Sequence, residues 1–496
     1  MMKKFFLAIM ACLILALVLA CSSEKEVEVP VYPPEFNWGI RFEPETLGLN
    51  VGSDTSEIRL NWYGNSPSGS TPKVRVVDAA GFEVAMVNAT TGAATTGKVW
   101  YKAEVTELEP DTPYRYAVSN DGINWSYSYE YRTPTTSKFS FAYVGDPQLT
   151  QVATAGQGRQ DVNSNVFSSD STTRQGWKDT MAKIASRSVN FVAFVGDQVD
   201  VTNNGDEIEY KYFFEPPELR RIPFSPVVGN HDRHYPFRYH YNIPNELEFD
   251  PITLSNNETN EQRRISEAYG HYWYMYNNAL FVCLNTSAYP TSTETAVPFI
   301  ARFKATLQDA TTKNAGKYDW IIVQHHKSTA SVADHCADTD IQYYVEAGFE
   351  ELMDEFSVDF VLTGHDHVYA RSYVMKAGEP RQTGADSYTN PEGTIYLTAT
   401  TGSGLKYYEV STDLPYGNTL IVKNNENYPA LVDGLFGSVN YMAGHLPLSN
   451  HRYKQNFTPG YGLFEVDGKT VSFKVYDFNS DTPFDSFTVT KSVSKK

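Results

Sequence analysis

Five short segments carry side chains able to bind metal ions: Gly145-Asp146, Gly196-Asp197, Gly229-Asn230-His231-Asp232, Gln324-His325-His326 and Gly364-His365-Asp366-His367. Neutral imidazole is the commonest protein ligand for transition metals, and mixed Asp, Asn and His donors suit borderline ions such as zinc, iron or manganese. One carboxylate shared by two ions holds them about 3.5–4 Å apart. His365 and His367 stand at i and i+2, so in an extended segment both imidazoles face one cleft. Singly, Gly-Asp is an ordinary turn and Asn-His-Asp an ordinary helix cap; the five segments together point to one metal centre.

Each segment follows an apolar run that reads as a buried strand: Phe139–Val144, Phe191–Val195, Pro226–Val228, Trp320–Val323 and Phe360–Leu362. Helical spacing of Phe349, Leu352, Met353 and Phe356 precedes the last of these, so strands alternate with helices and the polar groups gather beyond the carboxyl ends of the strands, as in an α/β domain. Hairpins are expected around Asn277-Asn278 and around Asp467-Gly468. Residues 403–454 read as loop insertions near the site.

Ahead of this region, residues 36–134 carry short alternating strands, such as Ile58, Leu60 and Trp62, separated by Gly, Pro, Ser and Asn clusters, which predicts a β-sandwich. The run Leu108-Glu109-Pro110-Asp111-Thr112-Pro113-Tyr114 resembles the tyrosine corner of fibronectin type III-like domains. Arg132 to Thr136 reads as a linker into a second domain over 138–490. Two domains suit a chain of 496 residues with 41% hydrophobic and 20% charged residues, 34 Tyr and 28 Phe. The net charge of -18 argues against nucleic acid as a partner, since binding phosphate backbones needs clustered Lys and Arg.

The chain opens Met1-Met2-Lys3-Lys4 and continues apolar from Phe5 to Ala20, the pattern of a signal peptide over residues 1–20. Val18-Leu19-Ala20-Cys21-Ser22 resembles a bacterial lipobox, which makes Cys21 a lipidated anchor, 21–35 a Glu- and Pro-rich tether, and the cell envelope the expected location. Cys283 and Cys336 are too few for a disulfide framework and lack zinc-cluster spacing.

With its motifs in this order, the chain resembles the purple acid phosphatases and the wider calcineurin-like metallophosphoesterases over nearly all of its mature length. The resemblance implies a four-layer αββα domain behind the fibronectin-like sandwich, and two metal ions, Fe, Zn or Mn, that generate hydroxide from water for attack on small phosphate esters. It further implies that Asp146 and His367 bind metal one, that Asp197 bridges both, and that Asn230 and His365 bind metal two with a histidine that follows a strand as V-x-x-H. His326 has that place, with His325 as its alternative. His231 is implied to face the phosphate, and His335 to help protonate the leaving group. Two positions depart from the pattern. Asp200 replaces the tyrosine of G-D-x-x-Y, and Gln148 stands where other members carry the histidine of D-x-H, so either residue is available to complete metal one. A phosphodiesterase, or a surface-binding lipoprotein with a degenerate metal site, are the alternative readings.

Overall fold

The computed structural model describes residues 33–66, 70–94, 97–150, 170–200, 207–232, 235–252, 268–333, 335, 338–382, 386–404, 407–408, 453–454 and 458–492. The expected signal peptide, Cys21, most of the tether, Cys336 and nearly all of the 403–454 insertion lie outside the described residues.

The alternating N-terminal segments form two antiparallel layers. One orders Glu45–Val51, Ile58–Gly64, Val99–Val105 and Thr90–Ala93; the other orders Glu83–Asn88, Lys73–Asp78, Pro113–Ser119 and Tyr129–Arg132. Leu47, Leu49, Leu60, Trp62, Val74, Val76 and Tyr101 fill the core between them. Tyr114 Oη accepts from Glu109 N at 2.9 Å, which closes the tyrosine corner.

One local expectation differs from the structure. Alternation at Ile58, Leu60 and Trp62 predicts a single buried face, yet Asn61 and Tyr63 are buried as well. The cause lies outside the sandwich: its first layer does not end at Glu45–Val51 but pairs in parallel with Phe224–Ser225, with Asn50 opposite Phe224. An eleven-stranded sheet therefore runs unbroken through both halves of the chain. Residues near the joint cover the far face. Tyr63 stacks on His240 at 4.2 Å; Asn242 N donates to Asn50 Oδ1 at 2.9 Å, and Asn242 Nδ2 donates to Ala103 O at 2.9 Å. The buried Asn242 amide, with these partners, fixes the join.

The rest of that sheet consists of Phe191–Phe194, Lys138–Val144, Gly460–Asp467, Thr470–Asp477, Asp485–Thr490 and Ser387–Thr389. A second sheet orders Tyr272–Tyr276, Ala279–Cys283, Trp320–Gln324, Phe360–Thr363, Thr394–Thr398, Tyr369–Lys376 and Glu379–Gln382. Both expected hairpins are present, turning at Asn277 (φ 48°) and Gly468 (φ 54°). The sheets face each other across an aromatic layer in which Phe141 of the first meets Phe281 of the second edge-on at 5.2 Å. Helix Asp170–Ser186 covers one outer face through Trp177, Met181 and Ile184. Helices Thr293–Lys313, Thr339–Glu346 and Phe349–Glu355 cover the other through Phe303, Leu307, Tyr344, Phe349 and Leu352. The result is the four-layer αββα arrangement. Cys283 is a buried thiol within it, and burial raises its pKa.

Glu350, in the first turn of Phe349–Glu355, faces inward. Burial pushes its carboxyl up to about 8, and Glu351 adds to the effect. A carboxyl protonated in the fold but ionised in the unfolded chain withdraws stability as pH rises from about 4.5 to about 8. Relative to the unsubstituted chain, the Tm of Glu350→Gln is expected to climb across that interval and level off above it; thermal melts over a pH series check this, and a flat difference would refute it.

Candidate metal centre

Parallel strands deliver the predicted residues to one place. Lys138–Val144, Phe191–Phe194 and Phe224–Ser225 run parallel in the first sheet, as do Trp320–Gln324 and Phe360–Thr363 in the second. Asp146, Asp197 and Asn230 thus leave one sheet, and His326, His365 and His367 leave the other, at ends that meet. The meeting is hydrogen-bonded: His365 N donates to both oxygens of Asp146 at 2.9 Å, and His326 Nδ1 donates to Val195 O at 2.8 Å. Tyr143 Oη donates to Leu397 O at 2.9 Å and also contacts Thr363 O, which ties the sheets together just behind the centre.

Close approach at these strand ends has a backbone cost. Asp146 (φ 49°), Gln148 (36°), Asp197 (52°), His365 (73°) and His367 (48°) all occupy the left-handed region that non-glycine residues rarely adopt. Such conformations cost of order 1–3 kcal/mol each and persist only where the surroundings impose them; they cluster at functional sites. The glycines that precede the ligands serve the same packing. A Cβ at Gly229 would lie under 3.0 Å from Asp197 Oδ1 and its backbone N, and one at Gly364 under 3.0 Å from Asp146 Oδ2.

Around His326 Nε2 stand Asn230 Oδ1 at 3.0 Å, Asp197 Oδ2 at 3.2 Å and His365 Nδ1 at 3.2 Å. Since Nδ1 of the same ring already donates to Val195 O, four donor atoms suited to a cation converge there. A second group adjoins it: His367 Nε2 lies 3.3 Å from Asp146 Oδ1, which is 4.0 Å from His326 Nδ1. Gln148 Nε2 donates to Asp197 Oδ2 at 3.1 Å, while its Oε1 and His365 Nε2 are buried polar atoms without a hydrogen-bond partner among the described residues. An orphaned acceptor, Gln148 Oε1, beside clustered carboxylates and imidazoles fits a bound cation and fits nothing apolar.

The electrostatics agree. Burial alone would raise the Asp197 carboxyl, but His326 and His231 hold it well below the usual carboxylate range. Burial opposes a charge on His326, yet Asp197 outweighs it and lifts the imidazole to about 9. A proton there occupies the role that a metal ion would take. Burial drives His365 the other way, with His335 and His326 adding to the effect, so it is neutral and able to donate a lone pair.

The two open alternatives separate in space. His325 points away from the cluster, its ring edge-on to Phe349 at 4.8 Å, and burial together with His326 pushes it down to about 3. Gln148 lies against Asp197, whereas Asp200 pairs with His231, Oδ1 to Nδ1 at 3.4 Å. His231 is half-buried at the rim; its Nδ1 bonds Asp200 O at 2.6 Å, and its backbone N donates to Asp197 Oδ1 at 2.9 Å. His335 also reaches the site, its ring 4.2 Å from that of His365. All nine residues of the expected site therefore fall in one neighbourhood.

Three others were missed. Asp338 Oδ2 holds His335 Nδ1 at 2.8 Å, Asp366 Oδ1 accepts from His335 N at 2.8 Å, and Tyr408 packs 4.8 Å from His335 and 4.9 Å from His367. Asp366 sits between two named histidines and Asp338 follows His335 at i+3, so both carried a signal; Tyr408, in an aromatic stretch without periodicity, carried none. Asp232 has a scaffolding role. Its carboxylate accepts from Gly229 N at 3.0 Å, Gln198 N at 3.2 Å and Val199 N at 3.3 Å, which clamps two ligand loops together.

Residues 139–369 match the family model of the calcineurin-like phosphoesterases, and residues 44–133 match that of the purple acid phosphatase N-terminal domain. A purple acid phosphatase isolated from yellow lupin (Lupinus luteus) seeds aligns with 90% of this chain and 74% of its own, with a TM-score of 0.58 and 16% identity, and so shares the fold. Uncharacterised proteins from two strains of Mycobacterium tuberculosis are 22% identical over 483 residues, which cover 90% of this chain and 87% of theirs.

Proposed function

The chain is a calcineurin-like phosphoesterase with a purple acid phosphatase-type N-terminal domain, and from that premise we infer that it hydrolyses small phosphate monoesters at the cell envelope with a pair of metal ions. The observation that carries the reading is the convergence of Asp197, Asn230 and His365 on His326 Nε2, with Asp146 and His367 adjoining. Asn230, His326 and His365 would hold one ion, Asp146 and His367 the other, with Asp197 between them and the Gln148 amide oxygen beside the second. Such a pair supplies Lewis acidity and a nucleophilic water near neutral pH.

The remaining work belongs to side chains of this protein. Asp200 O engages Nδ1 of His231, and Asp338 engages Nδ1 of His335, so each ring presents Nε2 to a bound ester. His231 neutralises charge on the phosphoryl oxygens; His335 holds the proton that the leaving oxygen takes. His335→Ala is accordingly expected to lower kcat about a hundredfold for an alkyl phosphate and less for p-nitrophenyl phosphate, whose leaving group needs little protonation. Equal losses on both substrates would remove His335 from that role.

The deciding experiment loads the chain with Zn, Mn or Fe(II), counts ions by plasma mass spectrometry, and compares p-nitrophenyl phosphate with bis(p-nitrophenyl) phosphate. About two ions per chain with faster monoester hydrolysis is expected. Faster diester hydrolysis would make it a phosphodiesterase, and an ion-free, inactive chain would leave only a surface-binding lipoprotein. Attachment to the envelope rests on the lipobox-like sequence around Cys21. Acyl labelling is expected to vanish in Cys21→Ser.

A further inference from the structure

A cleft of about 700 Å³ opens where the N-terminal sandwich meets the catalytic half, at the opposite strand ends from the metal centre. Ser188 and Val189 on its wall precede Phe191–Phe194, which leads to Asp197; Arg221 precedes Phe224–Ser225, which leads to Asn230. The sandwich supplies the other wall with Tyr114, Arg115, Tyr131 and Arg132. Its volume lies within the range of sites for small molecules.

Arg115, Arg132 and Arg221 line this space. Arg132 is engaged by Asp111, with Nη2 to Oδ1 at 2.8 Å. Among the described residues, no carboxylate pairs with Arg115 or Arg221, and Glu130 is the one acidic side chain lining the cleft. A chain with a net charge of -18 repels anions on average, so three arginines from both halves of the chain lining one cleft, against Glu130 alone, which stands opposite Arg115 in the strand pairing, create a local field of the opposite sign. Guanidinium forks match the paired oxygens of phosphate and carboxylate groups, and Pro113 and Ile222 add apolar lining for the body that bears them.

We propose that this cleft is a second ligand site, separate from the metal centre, which binds an oxyanion-bearing small molecule between Arg115 and Arg221. The test is calorimetric titration of the metal-loaded full chain with inorganic phosphate, glucose 6-phosphate and glucuronate, in parallel with the Arg115→Gln/Arg221→Gln double variant. At least one probe is expected to bind the unsubstituted chain and to lose about tenfold or more in affinity in the double variant, as befits removal of charge-assisted hydrogen bonds. Hydrolysis of p-nitrophenyl phosphate should be unchanged, because neither arginine approaches the reacting atoms. The three probes separate free phosphate, a phosphorylated sugar and a carboxylated one as the source of the oxyanion, and glucuronate carries no phosphoryl group for the metal centre. Both arginines are exposed, so the double variant is expected to melt with the unsubstituted chain. Superimposable isotherms in the two chains for all three probes would overturn the proposal.

Discussion

Asp197→Ala is expected to lower p-nitrophenyl phosphate hydrolysis by about a thousandfold or more, the scale of losing a principal electrostatic group from a reacting site, and to empty the chain of metal. The Asp197 carboxylate touches three members of the centre: Oδ2 meets His326 Nε2 at 3.2 Å, Gln148 Nε2 at 3.1 Å and His231 Nε2 at 3.9 Å, while Oδ1 takes His231 N at 2.9 Å. Without it Asp146 is the carboxylate left to the buried imidazoles of His326, His365 and His367, and the donors around His326 Nε2 lose the anion they share. The aromatic layer between the sheets does not depend on Asp197, so far-UV circular dichroism should match that of the unsubstituted chain. Two ions per chain and full turnover in the variant would sink the assignment.

Gly229→Ala is the second large effect, and it acts through sterics alone. The added methyl lies under 3.0 Å from both Oδ1 and the backbone N of Asp197. A side-chain oxygen can rotate away, but a backbone nitrogen cannot, so the Phe191–Phe194 exit loop must shift. Gly229 N also donates to Asp232 Oδ2 at 3.0 Å, and Asp232 in turn holds Gln198 and Val199, so the strain spreads through the clamp. Overpacking of this kind costs about 1–3 kcal/mol. The expected result is a lower urea midpoint together with loss of bound ions. Gly316→Ala serves as the control, because a Cβ there meets nothing within 4 Å although φ is 77°. It should lose a little stability and keep its metal; equal metal content in the two variants would refute the steric account.

Much of the centre was legible because strands buried on both faces are near-continuous apolar runs, and the ligands sit where those runs stop. Asp146, Asp197, Asn230, His365 and His367 could be located by that break alone. The choice between His325 and His326 could not: residues just past a strand end face opposite ways, and only the pairing of Trp320–Gln324 with Phe360–Thr363 decides which imidazole turns toward Asn230. The parts played by Gln148 and Asp200 are likewise set by the left-handed turns at Asp146, Gln148 and Asp197. The sandwich was legible from alternation and its tyrosine corner. Its junction was not, because the pairing of Asn50 with Phe224 links residues 174 positions apart, and nothing in the local pattern of either strand announces the other.

That junction bears on how the chain can be cut. Phe224–Ser225 is two residues long and gains a neighbour on each side, Phe191–Phe194 and Glu45–Val51. Removing the sandwich uncovers a row of amide and carbonyl groups along a sheet edge, a template for pairing with other chains. A fragment that starts near residue 138 is therefore expected to self-associate, however intact its ligands are. The boundary visible in the sequence is a seam in composition, and mechanically the two halves are one plate.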